Sequence, residues 1–298
     1  MADPPSVPPW SGAAATAVAV TLWGFGNVLV KHLTVDGLTL AVDRMWIGAV
    51  AYVVAYTVRG GRISLRSLRT SAVGGLCFAA DIALFFVALH HTSVADATVI
   101  GALQPALALV VAGPLFGEAV GVPEVALSAV GMLGVAVAVF GSASTSGRTA
   151  FGDLLAVGAL LAFTWYFVAS KQARATLGAL EYQASMLVVA AVATAPVVAL
   201  SGHGLIPPHA SDLGWAAVVA AVPGSGHLLV NWAHRSTPIM TTSLLTLGVP
   251  AVSIAGAAVF LGEPLTLLQL AGAVVALGGV SLVLVRSART ASRLPAVA

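Results

Sequence analysis

The stretch GALQPALALVVAGPLFGE, residues 101–118, places one proline among apolar residues and ends on a single glutamate. A second stretch, TLGVPAVSIAGAAVFLGE, residues 246–263, has the same layout, and its proline and glutamate lie 145 positions beyond Pro105 and Glu118. The chain therefore consists of two copies of one unit. The same offset aligns further pairs, among them Ala88 with Ala233, Thr92 with Thr237 and Gly134 with Gly279.

The composition indicates a membrane protein. Charged residues make up 8% of the chain and hydrophobic residues 59%, with a mean hydropathy of +0.99, whereas an ordinary soluble domain is about 25% charged. The apolar residues come in blocks of roughly 18 to 23, the length that a helix needs to cross the hydrocarbon layer. Because these runs lack the alternation of a barrel wall, we expect helices.

The interruptions between blocks predict ten membrane-spanning helices, five in each unit. Five crossings bring a unit out on the side opposite to its entry, so the second unit is expected to be inserted upside down. The expected fold class is an all-α polytopic membrane protein with ten transmembrane helices in two inverted five-helix repeats. The expected spans lie near 13–33, 38–58, 72–89, 94–116, 123–140, 152–170, 184–201, 213–233, 239–261 and 265–285. The expected domains are a cytoplasmic tail at 1–12, a first repeat at 13–145, a second repeat at 150–286 and a cytoplasmic tail at 287–298.

The basic residues predict the orientation. With both termini in the cytoplasm, ten of the thirteen lysines and arginines lie on the inner side, Lys31 and Arg148 lie outside, and Arg44 lies within a span. This asymmetry follows the positive-inside rule. The first span lacks a basic leading region and a convincing cleavage site, so we interpret it as a retained helix. The net charge of +2 is too small to indicate a nucleic-acid partner.

The order of motifs resembles a known family. A proline recurs in the fourth helix of each half, FGE at 116–118 is matched by LGE at 261–263, and LWGFGNVLVK and LLQLAGAVVALGGVSLVL stand at 22–31 and 267–284. These features, over nearly the whole chain, resemble the EamA family of the drug/metabolite transporter superfamily. The resemblance implies an exporter of small metabolites, often amino acids or related compounds, in the bacterial inner membrane. A passive channel or facilitator of the same architecture is the alternative.

Two titratable residues near mid-membrane are the candidates for ion or proton coupling. Asp81 lies in the middle of the third span, where an ionised side chain costs ~2.5 to 3.5 kcal/mol on insertion scales. It either binds a proton or cation, or is a structural acid bonded to a neighbouring helix. The repeat offset places Asp81 opposite Gly226, next to His227, whose side chain titrates near neutral pH.

Further polar and aromatic residues are expected to line a substrate cavity. His227 and Asn231 share one helical face with His234, and Trp23 shares a face with Asn27. The predicted cavity residues are Trp23, Asn27, Asp81, Gln104, Trp165, His227 and Asn231. They would place the cavity between spans one, three, four, six, eight and nine.

Other polar residues favour structural roles. Glu118 and Glu263 are interpreted mainly as polar ends of long helices, and Asp43 and Arg44 as an outer ion pair, with contact to a substrate carboxylate as the alternative. The prolines at 105 and 250 each remove a backbone hydrogen bond, so they predict kinks that take part in gating. The pairs Gly134/Ala138 and Gly272/Ala276 predict close helix packing within the chain and leave a homodimer possible but not established.

The sequence does not favour an enzyme. HTSVAD, residues 91–96, has the H-x4-D spacing of glycerolipid acyltransferases, but the spacing is short and the other acyltransferase motifs are absent. No Walker phosphate loop or hydrolase motif is present. Cys77 is the single cysteine and gives no metal or redox signal. The expected partners are a small-molecule substrate and the lipid bilayer, with no catalytic residue, cofactor or metal.

Overall fold

A computed structural model describes residues 10–33, 37–91, 94–140, 149–201, 210–262 and 265–293. Across these residues the chain forms twelve α-helices and no strand. In chain order they are α1 Ser11–His32, α2 Gly37–Val58, α3 Leu65–His91, α4 Val94–Gly101, α5 Gln104–Phe116, α6 Val122–Phe140, α7 Ala150–Ala173, α8 Ala179–Ser201, α9 Ala210–Ala233, α10 Ile239–Thr246, α11 Gly248–Leu261 and α12 Leu267–Arg293.

The helices repeat with the offset found in the sequence. Moving α4 by 145 residues gives the bounds of α10, and moving α5 gives those of α11 to within one residue. The loops that follow also match, since Gly117 and Gly262 end their helices with φ of 64° and 66°. A positive φ is left-handed backbone that glycine adopts without steric cost. The duplicated sequence therefore encodes duplicated local structure.

The fourth and ninth predicted spans are each divided into two helices. α4 and α5 are separated at Ala102 and Leu103, and α10 and α11 at Leu247. The sequence predicted one kinked helix for each of these spans, whereas the structure has two separate helices in each. Pro105 lies at the start of α5 and Pro250 near the start of α11. Proline is tolerated in a first helical turn because the backbone N–H there has no helical partner, so each proline favours a new helix start.

Helix packing follows the repeat. α1 packs along α9, and the repeat-related pair α7 and α3 pack in the same way; α2 packs on α8 and α6 on α12. A side chain on Gly272 would lie 2.3 Å from the backbone nitrogen of Ala138 and 2.5 Å from the carbonyl oxygen of Gly134. The small-residue pairs of α6 and α12 therefore pack against each other within the chain, as predicted.

Among the residues that the structure describes, eight segments are long and apolar enough to cross a membrane; α8 is not one of them, and Val122–Ala138 in α6 is a shorter apolar helix. Large apolar side chains cover much of the outer surface, which suits contact with lipid rather than water. Examples are Val54, Val110, Leu133, Leu154, Val192, Val259 and Leu282. The chain is therefore a multi-pass membrane protein. Two helices run beyond the predicted spans, since α3 begins at Leu65 and α12 continues to Arg293.

Candidate functional site: a charged and aromatic cavity

A small cavity lies between α2, α3, α8 and α9. The cavity shares spans three and eight with the predicted one, and spans two and seven provide the rest of its wall. Its lining residues are Arg44, Gly48, Tyr52, Phe78, Gln183, Leu187, Ala220, Gly224 and His227.

Arg44 brings a positive charge into this cavity. Its side chain is 9% exposed, and its guanidinium carbon lies 6.0 Å from the centre of the Phe78 ring. The opposite charge that acts on it is Asp81, which is half-buried on α3. Because Asp81 follows Phe78 by three residues, both lie on the face of α3 that meets Arg44. Arg44 and the mid-membrane acid that the sequence singled out therefore lie on neighbouring helices, α2 and α3.

Aromatic rings border the cavity. The His227 ring centre lies 4.7 Å from that of Phe78 and 4.7 Å from that of Trp23. Tyr166 stacks at 5.3 Å from Phe78, and Trp23 donates its indole N–H to the carbonyl oxygen of Pro223 at 3.0 Å. The rings are buried and packed on one another, so they fix the shape of the cavity wall.

A buried hydrogen-bond network continues from His227 along α9. The hydroxyls of Tyr166 and Ser170 both donate to Asn231 Oδ1, at 2.9 and 2.6 Å, and Asn231 Nδ2 donates to Gln183 Oε1 at 2.6 Å. Every polar atom of the Asn231 side chain is therefore engaged. Since an amide in this arrangement does not pass a proton on, we interpret Asn231 as a clamp that joins α7, α8 and α9.

Two histidine rings contact the same hydroxyls. His234 Nδ1 lies 2.9 Å from Ser170 Oγ, and His227 Nδ1 lies 3.4 Å from the Tyr166 hydroxyl oxygen. The network therefore reaches both histidines.

This network belongs to the second repeat alone. Three polar residues lie in or just after α9, namely His227, Asn231 and His234. The residues 145 positions earlier, in α3, are all apolar, namely Ile82, Phe86 and Leu89. Conversely, Arg44 and Asp81 belong to the first repeat alone, since Asp81 corresponds to Gly226 and α8, the counterpart of α2, contains no arginine or lysine. The two halves share a backbone plan but supply different chemistry to the site.

Arg174 anchors the end of α7 on this network. Its Nε donates to the carbonyl oxygen of Asn231 at 2.8 Å, and its guanidinium also contacts the carbonyl oxygen of Leu177. Burial, together with the nearby charge of Arg235, lowers the pKa of Arg174 to about 10. The guanidinium therefore stays charged at neutral pH.

One end of α5 carries an ionic cluster, which we call the Glu118 latch and define as Glu118, Lys171 and the first turn of α10. Glu118 accepts backbone N–H bonds from Ile239 at 2.6 Å and Met240 at 3.1 Å, and one of its oxygens lies 3.4 Å from Lys171 Nζ. Lys171 also donates to the carbonyl oxygen of Thr237 at 2.7 Å. The latch joins α5, α7 and α10, so Glu118 does more than end a helix.

α1 and α11 pack closely at two glycines, Gly24 and Gly256, and not through charged side chains. A side chain on Gly24 would lie 2.5 Å from Val252, and one on Gly256 would lie 2.9 Å from Val28. Asn27 Nδ2 donates to Ser253 Oγ across this contact at 3.2 Å. The helices approach closely because neither glycine has a side chain.

The structure brings together only some of the predicted cavity residues. His227 lines the cavity, with Trp23 and Asp81 beside it and Asn231 one turn along α9. The predicted coupling role of Asp81 and His227 stays a prediction. Gln104 is buried at the start of α5 and donates to Ser243 Oγ at 2.9 Å, away from the residues that line the cavity.

Two other candidates lie elsewhere. Asn27 belongs to the contact between α1 and α11. Trp165 is 49% exposed on the face of α7 that carries the exposed residues Val157 and Leu161, so its ring faces outward and not toward His227. Adjacent helical positions diverge by about 100°, which separates Trp165 from the buried Tyr166. Glu263 and the side chains of Lys31 and Asp96 lie outside the described residues.

Sequence reasoning missed several residues of the site. Arg44 was placed near the outer end of its span, and Tyr52 and Phe78 were not singled out at all. Tyr52 and Phe78 are aromatic residues in apolar helices, which a sequence does not distinguish from ordinary core. Arg44 itself could have indicated the site. It lies seven residues inside a membrane helix, and a cation at that depth requires a nearby counter-charge.

Comparisons with known proteins agree with this architecture. The model of the EamA-like transporter family matches residues 10–140 and 150–285, one match for each repeat. A solved crystal structure, covering 94% of this chain and 99% of its own, superposes with a TM-score of 0.79 at 20% sequence identity, which shows a shared fold.

One curated relative is named for its activity. A protein of Streptantibioticus cattleyicolor, described as "Probable terminal-alkyne amino-acid exporter", is 40% identical over 102 residues. The aligned stretch spans 34% of this chain and 34% of that protein. These relatives identify the chain as a transporter and not an enzyme. Since the family model matches both repeats, this protein belongs to the EamA-like transporter family.

Proposed function

We propose that this protein is a ten-span secondary transporter that exports small amino acids or related compounds across the bacterial inner membrane by alternating access. Its two repeats are inverted, both termini are cytoplasmic, and the cavity beside Arg44 and His227 is the substrate site. A passive facilitator with the same architecture is the competing proposal.

The arrangement of helix ends supports ten crossings. Three contacts lie on one side of the protein. Gly12 approaches Thr237 closely, Glu118 accepts the backbone N–H of Ile239, and Arg286 forms an ion pair of 3.1 Å with Glu124. On the other side, the carbonyl oxygen of His91 accepts hydrogen bonds from Thr149. The chain therefore passes from one side at residue 91 to the other at residue 118, so α4 and α5 together make one crossing. By the repeat, α10 and α11 make another.

The unequal contacts between the repeats are the observation that carries alternating access. α1 packs broadly against α11, whereas the repeat-related pair α7 and α5 pack over a smaller area. Gly256 of the first contact corresponds to Val111 in the second. The second contact is held by the Glu118 latch instead. With cytoplasmic termini, the glycine contact is the outer gate and the latch the inner gate.

The nature of the substrate is proposed from the cavity and the named relative together. The cavity is small, bordered by aromatic rings and lined by the guanidinium of Arg44. The relative over a third of the chain is named as an exporter of amino acids. The carboxylate of an amino acid suits the positive charge of Arg44.

Flux through proteoliposomes tests this proposal. The purified protein is reconstituted, and exchange of radiolabelled amino acids is measured with and without unlabelled amino acid on the opposite side. An alternating-access transporter gives saturable uptake that rises with substrate on the far side. A facilitator gives flux that opposing substrate does not stimulate. Absence of flux with any amino acid of a complete panel would contradict the proposed substrate class.

Topology provides a separate test. Phosphatase and fluorescent-protein fusions are expected to place both termini and the loop at 59–64 in the cytoplasm. Phosphatase activity from a fusion after Arg293 would mean an odd number of crossings and would remove the inverted-repeat proposal.

A further inference from the structure

We infer that the start of α3 carries a binding site for an anionic phospholipid, in which Arg66 and Arg69 contact the phosphate of the headgroup and the apolar face of α3 contacts the acyl chains. The site lies on the face of α3 opposite to the cavity residue Phe78. It therefore does not depend on which substrate the protein carries.

The register of α3 places both arginines on its outward face. A stripe of exposed residues at spacings of three and four runs along one side of the helix. It consists of Arg66, Arg69, Val73, Leu76 and Ala80. The opposite side is buried, for example at Ser67 and Phe78. Because a face of a membrane helix that no other helix covers is in contact with the bilayer, the stripe faces lipid.

The length of α3 places the arginines at the level of the lipid headgroups. The helix has 27 residues, which is about 40 Å at ~1.5 Å per residue. The hydrocarbon layer is about 30 Å thick, and about 40–45 Å with the headgroups. About 5 Å, or roughly three residues, therefore extends beyond the hydrocarbon at each end. Arg66 lies in this part, and the long side chain of Arg69 can extend to the same level.

The first turn of α3 is held in place by its own cap. The backbone N–H of Ser64 donates to Ser67 Oγ at 2.9 Å, and the backbone N–H of Ser67 donates to Ser64 Oγ at 3.0 Å. Such reciprocal bonds fix the start of a helix. Arg66 therefore extends from a fixed turn, and its direction along the outward face is set by the helix.

The charge at this end of α3 is positive. Four exposed arginines lie between residues 59 and 69, and no acidic residue lies between 44 and 80. Among the residues that the structure describes, none forms an ion pair or hydrogen bond with these four guanidinium groups. Glu181 lies beside Tyr56 at the end of α2 and offsets one of the charges. Since a guanidinium binds phosphate through two parallel N–H groups, a phosphate complements this end of the helix.

The continuity of the stripe favours a lipid over a soluble phosphate. A free phosphate would contact only the arginines, which are exposed and therefore screened by salt. A phospholipid also places its acyl chains against Val73 and Leu76, which are 57% and 54% exposed. The positive-inside rule accounts for the side of the membrane on which arginines lie, but not for their register on the outward face of the helix.

The second repeat provides a comparison within the chain. α9 begins at Ala210, 145 residues after the start of α3. The positions of Arg66 and Arg69 hold Ser211 and Gly214 there, whereas Val73 is matched by Val218. The apolar part of the stripe is therefore shared by both repeats, and the basic end belongs to the first repeat alone.

Native mass spectrometry tests the inference. Purified protein in detergent is titrated with dioleoylphosphatidylglycerol, which is anionic, and with dioleoylphosphatidylcholine, which has the same acyl chains and no net charge. Wild-type protein is expected to bind the anionic lipid at least about tenfold more tightly, since each arginine near a lipid surface contributes about fivefold. The double variant Arg66→Gln/Arg69→Gln is expected to lose this preference. Arg235→Gln removes an exposed arginine outside the stripe and should keep it.

Thermal unfolding provides a second measurement. A ligand that binds only the folded protein raises the unfolding midpoint. Phosphatidylglycerol should therefore raise the midpoint of wild-type protein and of Arg235→Gln more than phosphatidylcholine does, and should have no such advantage with the double variant. If the double variant does not fold, the single variants Arg66→Gln and Arg69→Gln decide, and each is expected to lose about fivefold in affinity for the anionic lipid.

Several results would overturn the inference. Equal binding of the two lipids by wild-type protein, or an unchanged preference in the double variant, contradicts a lipid site at the arginines. Displacement of phosphatidylglycerol by inorganic phosphate at equal concentration would assign the arginines to a soluble anion. A dimer that the double substitution dissociates, with the lipid preference unchanged, would assign this face to a second copy of the chain.

Discussion

Replacing Glu118 by glutamine is expected to loosen the inner gate. The glutamine keeps one oxygen that can accept the N–H of Ile239 or Met240, but it removes the negative charge that faces Lys171 and the start of α10. The side chains of both partners are largely buried, at 13% and 14% exposed, so solvent screens their attraction only partly. Glu118→Gln therefore isolates the contribution of charge to the latch.

The expected magnitude follows from these contacts. A carboxylate at a helix N-terminus contributes about 0.3 to 1 kcal/mol, and up to ~2 kcal/mol where partly buried. An exposed ion pair adds at most about 1 kcal/mol, and a partly buried one somewhat more. We expect Glu118→Gln to destabilise the inner-closed state, relative to the inner-open state, by about 1–2 kcal/mol. The ratio of inner-open to inner-closed protein then rises by a factor of roughly 5 to 30.

Cysteine labelling measures this shift. Ala112 is fully buried where α5 meets α7, and Cys77 is the only native cysteine, so Ala112→Cys on a Cys77→Ser background reports separation of these helices. A membrane-impermeant maleimide is added from the cytoplasmic side of inside-out vesicles. Glu118→Gln is expected to raise the labelling rate severalfold. Adding Lys171→Gln should raise it little further, because the two residues act on one contact.

The matched control is Glu124→Gln. Glu124 forms an ion pair of 3.1 Å with Arg286 between α6 and α12, away from α5, so its loss should leave the labelling rate unchanged. Equal labelling of Glu118→Gln and wild type, or equal increases for Glu118→Gln and Glu124→Gln, would refute the reasoning that the latch holds the inner gate.

Three more predictions concern the outer gate, the clamp and the prolines. Gly24→Val should hold α1 and α11 apart, because a side chain at this position would lie 2.5 Å from Val252. The expected result is faster labelling, from outside, of a cysteine that replaces Ser253. The control is Gly214→Val, which should have no effect because no atom lies within 4 Å of the added side chain. Asn231→Leu should lower the thermal unfolding midpoint in detergent, since it removes the acceptor of the Tyr166 and Ser170 hydroxyls and the donor to Gln183, at about 1–3 kcal/mol for each buried group that is left unsatisfied; an unchanged midpoint would contradict the clamp. Pro105→Ala and Pro250→Ala should join each pair of half-helices and lower exchange more than folded yield, measured by flux and size-exclusion chromatography; equal loss of both would leave the prolines only a packing role.

The sequence predicted the repeat and the membrane helices because both depend on local patterns. Apolar length determines which segments cross the bilayer, and an offset between identical residues needs no three-dimensional information. The division of α4 from α5 and of α10 from α11 was underestimated because proline shows where a helix is interrupted but not how far its halves separate.

The candidate site was harder to predict. Its residues come from α2, α3, α8 and α9, so their proximity depends on helix rotation and on contacts across the two repeats. His227 and Asn231 were found because consecutive polar residues on one face of a membrane helix must point inward. Trp165 was placed in the cavity because an aromatic residue alone does not show which face is buried, and the structure buries its neighbour Tyr166 instead.

In the proposed alternating-access cycle, the difference between the repeats gives the two gates different physical bases. Inverted repeats give the two gates one backbone geometry, and with identical side chains neither gate would be favoured. With the proposed cytoplasmic termini, the outer contact is held by close packing at Gly24 and Gly256, which does not depend on charge, and the inner contact is held by Glu118 and Lys171. Salt weakens the ionic contact but not the packed one. Raising the ionic strength should therefore speed inner-side labelling at position 112 in wild-type protein and have little effect on Glu118→Gln, and a salt response that survives the substitution would assign the inner gate to other charges.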